Sequence, residues 1–155
     1  MKKGHYTKRP VDYSKYTQSK VVFHWYDSFQ YESAGCGATA LSLLTGVKPS
    51  RYAAKVKNKA YPDKFMLQEL RASGFKCIEI TQCKLSNHKS NIIKYSIANN
   101  HLILTSQLFA KNEASWLVSW NSNTFHNFVH TSSSFYTLLN FPVLTAYILF
   151  HPDYV

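Results

Sequence analysis

A chain of 155 residues is long enough for one domain with a proper core, and a 45% hydrophobic content excludes a disordered protein. No apolar run is long enough to cross a bilayer, and none follows the basic N-terminus as a signal peptide would require. The formal net charge of +10, from 18 Lys and Arg against 8 Asp and Glu, argues against a cationic partner and for an anionic one: nucleic acid, a membrane surface or an acidic protein.

The charge is unevenly placed. Lys2, Lys3, Lys8, Arg9, Lys15 and Lys20 stand against Asp12 alone at the start of the chain. Residues 1–20 therefore read as a basic arm, spotted with Tyr6, Tyr13 and Tyr16, and residues 21–155 as a single domain. The arm has few aliphatic side chains to bury, so it is expected to pack on a partner more than on its own core. Residues 21–26, Val-Val-Phe-His-Trp-Tyr, are β-branched and aromatic and predict a short strand.

Next comes a loop, from Gln30 to Gly35, that turns into a helix at Cys36. Ala38, Ala40, Leu41, Leu43 and Leu44 cover most of that helix with small or apolar side chains, which predicts burial on several sides. Gly46 supplies the stop. Cys36 then sits in a first helical turn, where unpaired N–H groups and the macrodipole favour a thiolate. Pro49 opens a second helix over residues 50–59 with a basic surface, inside a second cluster of charge formed by Lys48, Arg51, Lys55, Lys57, Lys59 and Lys64. Residues 62–73 predict a third helix with Phe65, Met66, Leu67 and Leu70 on its apolar face. Residues 75–81 read as a strand, and Ile92, Ile93 and Ile97 mark a fourth helix.

The last third reads as β. Strands are expected over residues 101–109, 115–120, 124–130 and 143–150, with Asn121-Ser122-Asn123 as a hairpin turn. Helices first and a mostly antiparallel sheet last make an α+β pattern.

Gln30, five residues, Cys36-Gly37 and a small-residue helix together resemble the papain-like cysteine peptidases. The closest likeness is to their small branch, the bacteriocin-leader-processing peptidases and their phage and bacterial relatives. The resemblance implies N-terminal helices packed on a C-terminal sheet, and amide-bond hydrolysis without a cofactor. It implies Cys36 as nucleophile, with Gln30 and the Cys36 N–H on the oxyanion. The substrate would be a peptide or protein.

The resemblance also requires a His near Cys36 and a third group to orient it. Two placements compete. In one, His126 is the base and Asn140 the orienter. In the other, strand order puts Ser115 at the base position and Asn127 at the orienter, and the base is lost. With a turn at 121–123, Trp116, Val118, His126 and His130 would share one face of the hairpin, and Ser115, Leu117, Asn127 and Val129 the other. Loss of the base would leave a non-catalytic relative serving as a structural or interaction component, for example in a viral particle, with assembly through the basic arm. A nucleic-acid-binding module is the third reading, resting on charge and on 11 Tyr and 10 Phe that can stack on bases.

Three cysteines without dense spacing suit a reducing compartment, so a cytoplasmic site or an assembled particle is expected. Cys77, Cys83 and His88 have the spacing C-x5-C-x4-H but no fourth ligand in register, which argues against zinc. His5, His24, His101 and His151 show no partner pattern.

Overall fold

Alternation along the strands decides which side of the sheet carries the helices. The computed structural model describes residues 13–56, 60–80, 100–110, 113–121, 123–126, 129–131 and 142–154. Among these residues six strands, β1 (Lys76–Glu79), β2 (Leu102–Ala110), β3 (Glu113–Trp120), β4 (Asn123–His126), β5 (Val129–Thr131) and β6 (Val143–Phe150), form one sheet in the order β1-β6-β2-β3-β4-β5. Every ladder is antiparallel. Among the described residues three α-helices, α1 (Ser28–Thr45), α2 (Pro49–Ala53) and α3 (Asp63–Ala72), precede the sheet, so the fold class is α+β.

Leu102, Leu104, Trp116, Val118, Phe125, Tyr147 and Leu149 point to the helices and share a core with Leu41, Leu44, Met66 and Leu70. Each fully buried Leu of this kind contributes about 1.5–3 kcal/mol of burial. Ile103, Ala146 and Ile148 alternate onto the far face, where Tyr16, Ile80 and Val143 join them.

α1 begins where Asp27 caps it. Asp27 Oδ1 accepts the Gln30 backbone N–H at 3.3 Å, and Asp27 Oδ2 accepts the Gln30 side-chain amide N–H at 2.8 Å, so Gln30 donates to both oxygens of the capping carboxylate. Gly35, at φ 87° and ψ 171°, then breaks the helix in two. That left-handed φ suits glycine. Thr39 Oγ1 bridges the break by donating to the Gly35 carbonyl at 2.6 Å. The helix thus starts eight residues earlier than the sequence pattern suggests, but a second helical run does begin at Cys36. Gly46 ends it at φ 81°, its N–H returning to the Ser42 carbonyl at 2.9 Å.

Residues 21–26 are not a sheet strand. Their backbone is held along α1 instead: His24 N–H donates to the Leu43 carbonyl at 2.8 Å, and Tyr26 N–H to the Tyr31 hydroxyl at 2.9 Å. Their rings cover the helix-side face of β4, with Phe23 4.8 Å and Trp25 5.3 Å from Phe125. α2 is shorter than expected, ending at Ala53, and the helix expected around 92–97 lies outside the described residues.

Residues 13–20 are part of the domain rather than of a free arm. Tyr16 is buried on the far face of the sheet, and Gln18 is wholly buried. Gln18 Oε1 accepts the His151 N–H at 3.0 Å, its carbonyl accepts the Trp120 indole N–H at 3.1 Å, and its N–H donates to the Asn100 carbonyl at 3.1 Å. One glutamine here replaces the aliphatic side chains that the segment lacks. Residues 1–12 lie outside the described residues.

Candidate functional site

Cys36 lies at the first position of the second half of α1, half-buried, against the helix-side core. Its Sγ accepts the Trp116 backbone N–H at 3.5 Å. The ladder explains why that N–H is open. β4 pairs with β3 only at Val118, Ser119 and Trp120, so two residues further back the β4-side edge of β3 has no strand beside it among the described residues. The thiol stands where a neighbouring strand's carbonyl would stand. Tyr61 packs against Gly37, the next residue. A Cβ on Gly37 would come 2.2 Å from the Tyr61 ring, so glycine is needed for this approach. The Trp116 indole N–H donates to the Tyr61 carbonyl at 2.9 Å, which ties ring, loop and strand around the sulfur. Burial, and then the nearby Cys36, push the Tyr61 phenol up.

The other residues of the motif are placed differently. The Gln30 amide is exposed and bound to Asp27 in the helix cap. The five residues between Gln30 and Cys36 run through the first half of α1 and the Gly35 break rather than through a loop. Asn140 lies outside the described residues, as does Asn127.

His126 is decided by register. Val118 pairs with Phe125, Ser119 with Thr124 and Trp120 with Asn123. The hairpin loop is therefore the two residues 121–122, with Asn121 at φ 51°, not the three residues 121–123. One residue of slip moves every side chain of β4 to the other face. Phe125 faces the helices, and His126 shares the far face with Thr124 and Ser119, whose hydroxyls meet at 3.0 Å. His126 and Cys36 are thus on opposite faces of the sheet. Burial holds the His126 imidazole below its ordinary value. Ser115, next to Trp116, also alternates onto the far face, opposite Gln107. His130 pairs with Phe125 and so occupies a register position of the helix side.

Trp116 bonds the thiol and Tyr61 feels its charge, and sequence spacing did not single out either. The remaining histidines with described side chains have other contacts. The His101 ring bonds the Tyr13 carbonyl at 2.6 Å. His24 lies against Gly46, and His151 stacks on Tyr154 at 4.8 Å. Burial pushes the Cys77 thiol up to about 11, which keeps it protonated and a poor ligand, while Cys83 and His88 lie outside the described residues. Among the described residues no three His, Cys, Asp or Glu side chains converge on a metal site, and no helix is long and apolar enough to cross a membrane.

No protein-family model, curated protein or solved structure matches the chain. Chemically, the arrangement offers a half-buried thiol at a helix start with a backbone N–H on the sulfur.

Proposed function

We propose that the chain is a papain-like α+β protein that keeps the cysteine-helix motif as structure, and that it works as an interaction or structural component of a larger assembly such as a viral particle. The observation that carries this reading is the Trp116 N–H on the Cys36 sulfur. It gives the thiol a packing role, joining α1 to the open edge of β3. The Gln30 amide fits the same reading, because an oxyanion donor must point at the reacting oxygen and this one closes a helix cap. Exposed apolar side chains suit a component that binds others: Phe29 is 75% and Trp25 51% exposed within one short segment.

A second reading keeps the enzyme. The register position of His130 on the helix side favours it. There Cys36 attacks a peptide carbonyl and His130, in place of His126, takes the thiol proton. Incubation with fluorescently labelled casein separates the two. The structural reading expects no cleavage that iodoacetamide blocks. A cleavage rate abolished both by iodoacetamide and by Cys36→Ala establishes the peptidase instead.

A further inference from the structure

We propose that the cleft between α2 and α3 receives an acidic peptide segment of a partner protein, with an apolar side chain on the cleft floor and carboxylates on Arg51 and Lys55. The inference is independent of whether Cys36 is catalytic, since the cleft is lined by none of the residues around the thiol. Its volume is about 380 Å³. That is near the lower end of the roughly 300–1,000 Å³ typical of binding pockets, and suits a single large side chain better than a bulky cofactor.

The floor is apolar. Val47, Tyr52, Ala54 and Ala72 line it, and the two alanines are exposed, so space is left open where longer side chains would fill it. The rim is charged. Lys55 Nζ reaches Glu69 Oε1 at 2.8 Å across the cleft mouth, with Lys55 55% and Glu69 15% exposed. Such a pair holds its partners weakly, so an incoming carboxylate can share the ammonium. Arg51 is exposed and forms no ion pair among the described residues.

The surrounding charge selects the sign of the partner. Lys48 and Arg71 are exposed on the same two-helix unit. Its two acids are already engaged, Asp63 by the Tyr147 hydroxyl at 2.5 Å and Glu69 by Lys55. The unit therefore presents surplus cations, and an exposed guanidinium outside the ion pairs of the described residues is the group best shaped for a carboxylate. A nucleic acid fits less well. Single strands need aromatic faces to stack on. The ring on this floor, Tyr52, is 2% exposed, with its hydroxyl 2.7 Å from Thr45 Oγ1.

The test is a titration of the full chain, followed by backbone amide shifts, with the peptide acetyl-Glu-Asp-Phe-Glu-Asp-amide at low salt. The expected result is saturable shifts confined to residues 47–55 and 69–73. Arg51→Ala should weaken binding about tenfold, as loss of a charge-assisted hydrogen bond does. Ala72→Phe, which fills the floor, should abolish it with an unchanged circular dichroism spectrum. No saturable shift at these residues overturns the proposal. So does equal binding by Arg51→Ala, or equal binding of the peptide with lysine in place of its acids. If a short oligothymidylate shifts the same amides at lower concentration than the peptide does, the cleft belongs to nucleic acid and the proposal fails.

Discussion

The two faces of the sheet are built on different chemistry. The helix side is filled by Leu102, Leu104, Val118 and Leu149 against the leucines of α1. The far side buries Thr105, Gln107, Ser119 and Thr124 among its aliphatics. An apolar face is held by area and tolerates small shifts in geometry. On a polar face each buried group left unbonded costs stability, so the face rests on particular pairs such as Ser119 with Thr124. The difference bears on function, because Cys36 belongs to the first face and His126 to the second.

The largest effect should come from the apolar face. Leu41 is wholly buried in α1, and Leu41→Ala should cost about 2–5 kcal/mol in chemical denaturation. A loss under 1 kcal/mol, roughly the cost of a well-tolerated core swap, would show that α1 is not the central element of that core. A smaller effect is expected opposite. Thr124→Val should cost about 1–3 kcal/mol by stranding the Ser119 hydroxyl. Ser119→Ala added to it should recover part of the loss. If the double variant is worse than Thr124→Val by the full cost of Ser119→Ala alone, the two hydroxyls are not coupled and the polar face is not held by pairs.

The smallest effect is a pH dependence. Burial depresses the folded-state pKa of His126. As pH falls below about 6.5, the unfolded chain takes up this proton first, so stability is lost through that range and levels off below the folded value. Above that range the imidazole is neutral in both states and contributes no slope. His126→Gln should therefore flatten the fall in melting temperature between about pH 7 and about pH 5 relative to the unaltered chain. Identical slopes would place the imidazole in water and break the contrast between the faces.

Local patterns made much of this fold legible. The apolar spacing of Met66 and Leu70 marked α3, and the apolar runs of β2 and β6 marked the central strands. The helical run that begins at Cys36 was also readable, because Gly35 and Gly46 bracket it. What escaped depends on partners distant in sequence. Residues 21–26 look like a strand but bond to Tyr31 and Leu43 of α1. Gln18 looks like part of an arm but bonds to Trp120 and His151. The face of His126 turned on one residue. Asn121-Ser122-Asn123 can close a hairpin as a two- or a three-residue loop, and only the pairing of Trp120 with Asn123 distinguishes them. Trp116 beside Cys36 had no local signal at all, since a backbone N–H carries no sequence mark.

The most direct measurement is the rate of Cys36 alkylation by iodoacetamide from about pH 5 to about pH 8, the range in which a paired imidazole would act on a thiol. Cys77 and Cys83 are first replaced by Ala so that one thiol is counted. A Cys36 held by the Trp116 N–H and not by an imidazole should give superimposable profiles in the His126→Ala and His130→Ala variants and in their parent. A sharp slowing at about pH 5 in His130→Ala would contradict this and restore a Cys–His pair on the helix side. The same slowing in His126→Ala would contradict the register that puts His126 on the far face.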